Sequence, residues 1–213
     1  MQNSPHHPDT VSVEDASAQR HIGLLLFDGV EELDAVGPWE VLAYWTRHHP
    51  EDGWSISCLS AGGADVIGAK NLVLGAHHSL ADAPALDVLI HPGGHGTRRL
   101  LRDTDHLDWV RAQREAVALM ASVCTGSLVY AAAGLLKGRS ATTHWASLNL
   151  LSELDPTVIT DVDARFVDDG DLLTSAGVSA GIDMALHLVA RLAGTERARE
   201  VRRGIQYDPH PPV

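Results

Sequence analysis

Between Val117 and Leu136 the chain reads VALMASVCTGSLVYAAAGLL. Seven mostly apolar residues lead to Cys124. Thr125, Gly126 and Ser127 then open a longer run of helix formers, which Gly134 and Gly138 bring to an end. An apolar run of strand length, turning at small residues into a helical run, predicts a buried strand that delivers the chain straight into a helix. Cys124 stands at that corner. A helix N-terminus offers unpaired backbone N–H groups and the positive end of the macrodipole, and both favour a thiolate over a thiol. This is the pattern of a nucleophile elbow, in which a tight strand-to-helix turn lifts a reactive side chain above the sheet. Taken alone, the same pattern also fits a buried cysteine that only fills space.

The chain has 213 residues, a length suited to one α/β domain, and 45% of them are hydrophobic. Its 28 acidic and 16 basic residues give a formal charge of -12, which argues against a nucleic-acid-binding surface or an anionic membrane face. Cys58 and Cys124 fall in different predicted elements and suggest no disulfide framework, so a reducing cytoplasm is expected. Residues 1–20 are polar, contain Pro5 and Pro8, and lack the apolar core of a signal peptide; they read as a flexible lead-in to a domain spanning 21–213. No apolar run reaches the roughly 18 residues of a membrane span.

Further strands are predicted at His21–Phe27, Trp54–Leu59, Asn71–Leu74 and Asp87–His91, then at Arg139–Thr143, Thr157–Asp161 and Ala164–Ser175, the last folded as a hairpin around 168–171. Helices are predicted from Pro38, over Thr104–Ala116, through Leu151, over Ile182–Leu192 and over Glu196–Ile205. Three features fall beside predicted strand ends. Asp34, four residues before Pro38, falls in the connection after the first strand or in a short turn preceding the helix. It is either a helix cap or an acid facing the ligand crevice of a parallel sheet. Pro92-Gly93-Gly94-His95-Gly96 follows Asp87–His91, where glycines allow a sharp turn and present N–H groups at close range. Ser175–Gly181 is rich in small residues and becomes a pocket wall if it abuts the Cys124 corner. His95 and His144 can line that pocket, or else lie in solvent and pack beside Trp145 respectively. The paired histidines at 6–7, 48–49 and 77–78 lack partners at ligand spacing, and no metal is expected.

Taken together, PGGHG after a strand, ASVCTGSLVYAAAGLLKGRSATTHW, TSAGVSAGID and the closing QYDPHPP resemble the ThiJ/PfpI superfamily, over nearly all of residues 21–213. The combination of LDAVGP, VCTGS, ATTHW and AGID is most similar to its bacterial isocyanide hydratase branch. The resemblance implies a flavodoxin-like three-layer sandwich of the class I glutamine amidotransferase type, mostly parallel, with helices on both faces of the sheet. It implies Cys124 as nucleophile, Asp34 as its acid partner and Thr125 beside them. The substrate-binding walls would come from Gly93, Gly94, His95, His144, Trp145, Gly177 and Val178. Thr125 stands where the protease-like branch carries histidine, and Asp34 where many members carry glutamate; both departures favour the hydratase branch. The same domain occurs in regulators fused to a helix-turn-helix module, which is not expected within these 213 residues. The implied activity is hydration of an isocyanide to an N-substituted formamide, without cofactor, in a homodimer whose partner is a small-molecule substrate. A glyoxalase- or deglycase-like enzyme acting on methylglyoxal or its adducts, and a non-enzymatic cysteine redox sensor, are the alternatives.

Overall fold

The computed structural model describes residues 19–210. The predicted lead-in therefore lies, up to residue 18, outside the described residues, as do the last two residues of the closing motif. In chain order the elements are β1 (Arg20–Leu26), α1 (Glu32–His48), β2 (Trp54–Ser60), β3 (Val66–Ile67), β4 (Val73–Leu74), β5 (His78–Ser79), β6 (Val88–His91), α2 (Thr97–Leu100) and α3 (Thr104–Ala116). There follow β7 (Leu119–Val123), α4 (Gly126–Ala132), β8 (Ser140–Ala141), α5 (Leu148–Leu154), β9 (Ile159–Thr160), β10 (Phe166–Asp168), β11 (Leu172–Ser175), α6 (Ala180–Ala193) and α7 (Thr195–Gly204).

Seven strands form one sheet in the order β10-β11-β7-β6-β1-β2-β5. All neighbours run parallel except β10, which returns antiparallel to β11 as the edge strand. From Ile22 onward β1 is buried residue by residue, because both faces of the sheet are covered. Leu24 and Leu26 lie with Ala35 and Trp39 of α1, whereas Leu25 and Phe27 lie with Leu100 and Trp109 of α2 and α3. Helices α1, α6 and α7 pack on one another, while α2, α3, α4 and α5 make a second group. The mostly parallel α/β sandwich expected from the sequence is present.

Two expectations need correction. The helix after the first strand begins at Glu32, so Pro38 is its seventh residue and Asp34 lies in its first turn rather than in a connection. A proline inside a helix removes one ladder hydrogen bond. Here the compensation is tertiary: Pro38 is buried, and its Cγ would lie 3.3 Å from a Cβ at Gly181, at the crossing of α1 and α6. Asn71–Leu74 and Arg139–Thr143 do not join the main sheet. Val73–Leu74 pairs with β3 in a hairpin, and Ser140–Ala141 pairs with β9. The β3–β4 hairpin is fastened over the β1–α1 connection by Gly29 N–H donating to Ile67 O at 2.8 Å and Ala69 N–H donating to Val30 O at 2.8 Å. Asp183, in the first turn of α6, is engaged by Arg165 and accepts a 2.9 Å hydrogen bond from the Tyr207 hydroxyl.

Candidate active site

The parallel strands direct their carboxyl ends to one edge of the sheet, where open α/β folds hold ligands. The ends of β1, β6, β7 and β11 bring Asp34, Gly93, Cys124 and Val178 to that edge. Cys124 follows β7 directly and has φ +56, a left-handed conformation costly for any residue with a Cβ. Its surroundings hold it there. The Cys124 N–H donates to Ser175 O at 3.1 Å and to Ala176 O at 3.3 Å, at the end of β11. Its carbonyl accepts from Thr143 Oγ1 at 2.9 Å and Ser127 Oγ at 3.2 Å. Gly126 completes the corner, since a Cβ there would sit 2.1 Å from His91 O. This is a strained turn fixed by tertiary contacts, of the kind that gathers at working sites.

Asp34 is fully buried behind the thiol. Its Oδ2 accepts from Gly93 N–H at 3.1 Å, whereas Oδ1 is buried with no partner meeting hydrogen-bond geometry among the described residues. Gly93 has to be glycine, because a Cβ would meet Thr125 N at 2.5 Å and Asp34 Oδ2 at 2.8 Å. Burial raises the Asp34 carboxyl to about 7, aided by the nearby charge of Glu31 and opposed by the interaction with Cys124. Burial, with the Asp34 charge, pushes the Cys124 thiol up to about 12, while the backbone N–H groups of Thr125 and Val178 act in the opposite direction by favouring the thiolate. Neither group is comfortably ionised in isolation, and the pair is suited to handling one proton between them.

Thr125 Oγ1 accepts from Gly94 N–H at 2.9 Å, tying the glycine-rich loop to the elbow. Behind that loop His91 is wholly buried. Its Nδ1–H donates to Pro92 O at 2.8 Å, so its Nε2 must accept from His106 Nε2, 3.0 Å away. Burial lowers His91 to about 3, and it stays neutral as part of the loop's support.

A cavity of about 300 Å³ opens over the sulfur, lined by Cys124, Thr125, Gly94, His95, His144 and Val178 together with Glu31, Arg98, Ala146 and Ser147. Val178, a β-branched residue, is also left-handed, at φ +50. Gly177 stands behind the wall: a Cβ there would lie 2.2 Å from His144 Cδ2. His144 Nδ1 accepts from Ala146 N–H at 3.2 Å. The placement expected for Trp145 is corrected. It begins a 3-10 turn (Trp145–Ser147) that rotates its ring away from the cavity, leaving it 77% exposed. Glu31, Arg98, Ala146 and Ser147 went unrecognised in the sequence. A second, larger cavity of about 580 Å³ lies between the β1 and β2 ends and α3, and contains neither Cys124 nor Asp34. The smaller one is lined by the strained Cys124, with the buried Asp34 carboxyl behind it, and is the candidate site.

A family model described as the DJ-1/PfpI family matches residues 20–191. The chain belongs to the DJ-1/PfpI family. Among curated family relatives, the isonitrile hydratase of Pseudomonas putida is 41% identical over 191 residues, covering 90% of this chain and 80% of the relative. The HTH-type transcriptional regulator GbdR of Pseudomonas aeruginosa (strain UCBPP-PA14) is 30% identical over 88% of this chain, but the match spans only 50% of the regulator. Among solved structures, a THiJ/PfpI family protein from Pseudomonas syringae superposes with a TM-score of 0.83 at 30% identity, covering 98% of this chain and 85% of that one. Drosophila melanogaster DJ-1beta gives 0.77 at 25% identity, covering 90% and 100%. DJ-1/PfpI proteins thus include enzymes and regulators, and the site has to decide between them.

Proposed function

We propose that this protein is an isocyanide hydratase converting R–N≡C and water into R–NH–CHO. The observation that carries the reading is the pairing of a strained, cavity-facing Cys124 with the buried Asp34 carboxyl. The 41% identity to an isonitrile hydratase supports it.

The terminal carbon of an isocyanide accepts a soft nucleophile and must then be protonated. Asp34, as carboxylate, takes the thiol proton while the sulfur of Cys124 bonds to that carbon. The same proton passes from Asp34 to the carbon, giving the thioformimidate R–N=CH–S. Water next adds to this carbon: Asp34 accepts one of its protons and passes it to the nitrogen, giving R–NH–CH(OH)–S bound to Cys124, whose hydroxyl proton Asp34 then takes and hands to the departing sulfur. The tetrahedral adduct collapses to R–NH–CHO as the sulfur leaves and recovers its proton. The Thr125 and Val178 N–H groups favour the sulfur as thiolate both when it attacks and when it departs. The cavity of about 300 Å³ is at the small end for ligand pockets, matching a compact substrate.

The test is turnover of a chromogenic aryl isocyanide, followed by formamide release. Wild type is expected to turn it over and Cys124→Ala to lose turnover. Full activity in Cys124→Ala would remove the mechanism, and an inert wild type would remove the function. Lactate from methylglyoxal would instead support a glyoxalase, and inertness towards both substrates with a stable Cys124 sulfinate would support a redox sensor. The family resemblance also implies a cytoplasmic homodimer; light scattering at twice the 22.8 kDa chain mass would agree with the dimer.

A further inference from the structure

Arg98 lines the Cys124 cavity, and the hydration chemistry gives it no task. Its Nη1 donates to Thr97 Oγ1 at 3.0 Å and its Nη2 to Ser147 Oγ at 3.3 Å. Thr97 belongs to α2 and Ser147 to the 3-10 turn, so the guanidinium bridges two walls of the cavity. The α2 wall is tied to the elbow as well, because Thr97 Oγ1 lies 3.2 Å from Thr125 Oγ1 and 2.7 Å from Gly94 O. Both partners of Arg98 are neutral hydroxyls: they fix its direction without cancelling its charge. Among the described residues no carboxylate oxygen comes within the 4.0 Å of an ion pair with Arg98, whereas Glu31, the acidic residue of the same wall, is already engaged by Lys70. A guanidinium carries five N–H donors, and two hydroxyls do not use them up.

An exposed guanidinium, aimed by two hydroxyls and lining the same cavity as Cys124, is a recognition element for an anion on the substrate. Its planar fork matches a carboxylate, and the nearby Glu31 disfavours a doubly charged phosphate. We propose that Arg98 selects isocyanides that carry a carboxylate, so that the site takes small isocyano-carboxylic acids and returns N-formyl amino acids. The inference rests on the hydratase reading and names its substrate class. The carboxylate is a handle only. Water adds across the isocyanide as before, ⁻OOC–R–N≡C + H₂O giving ⁻OOC–R–NH–CHO, with the carboxylate unchanged.

The experiment compares kcat/KM for an isocyano-carboxylate and for its neutral methyl ester in wild type, Arg98→Met and Arg98→Lys. A ratio measured within one enzyme cancels any general damage from the substitution. Wild type is expected to favour the acid by about tenfold or more, chiefly through KM, as a charge-assisted pair at a partly open site would provide. Arg98→Met should bring the ratio to about one, and Arg98→Lys should restore only part of it. Equal use of acid and ester by wild type, or a ratio unmoved in Arg98→Met, overturns the inference while leaving the hydratase intact. If neither compound nor the neutral aryl isocyanide is hydrated, the hydratase reading falls and this inference with it.

Discussion

At the amino ends of β7 and β11, Arg114 and Arg139 share Asp171, and Arg139 also donates to Asp169 Oδ2 and Asp169 O, each at 2.6 Å. At the carboxyl ends of the same two strands stand Cys124 and Val178 in left-handed conformations, and beside them Asp34 of α1 keeps a buried carboxyl oxygen that has no partner among the described residues. One end satisfies its polar groups and keeps its charges partly in water. The other holds strained backbone and desolvated acid groups that the rest of the fold must sustain. Local rules are obeyed where the sheet is only being held together and broken where a ligand is to be worked on, which is how stability and function divide a natural fold.

The contrast between the two ends predicts its largest effect at the elbow. Cys124→Ala is expected to lower isocyanide turnover by about 10⁴-fold. Cys124→Gly, equally inactive, should be more stable than Cys124→Ala by about 1 kcal/mol in urea denaturation, because glycine accepts the left-handed backbone. If alanine proves the more stable, the turn is not strained.

Asp34 makes the carboxyl-end site pH-dependent. Its carboxyl sits near 7 in the fold, above its ordinary value, so the folded state holds a proton that the unfolded chain releases earlier. Its contribution to stability is therefore present below about pH 4 and lost as pH rises towards 7, by about 4 kcal/mol in all. Asp34→Asn should flatten that part of the stability profile and cut turnover by about 10²- to 10⁴-fold. In wild type, kcat/KM should fall as pH drops below about 7, where the pair holds two protons and the thiol has no base to give one to.

Gly126→Ala forces a Cβ against His91 O and is expected to cost about 3 kcal/mol of stability along with activity, measured by urea midpoint and turnover together. The smallest effect is expected at the opposite end. Arg139→Met should cost about 1–2 kcal/mol and leave kcat within about twofold. A large loss of kcat there would mean that the two ends are coupled.

Much of this division was legible in the sequence. The buried strands β1, β6 and β7 announce themselves as short apolar runs, and the small residues around Cys124 mark the corner. Asp34 was legible as an acid near a strand end but not as a residue inside α1. Pro38 suggests a helix start, and only the crossing with α6, far away in sequence, explains a proline in the seventh position. Arg98 and Ser147 were hidden for another reason. Helix α2 has four residues, too few to show a period, and TRRL reads as solvated surface. Trp145 misled because an aromatic beside His144 suggests a pocket wall, and a 3-10 turn changes which side chain faces inward.

The clamp on Cys124 has a consequence for the order of assembly. Its contacts come from Ser175, Ala176 and Thr143, and its corner rests on His91, so segments distant along the chain must dock before the sulfur is aimed. Such non-local contacts form slowly, because the intervening loops must close first. During refolding, helical signal should return ahead of thiol reactivity, and enzymatic competence should appear only when β11 has joined β7.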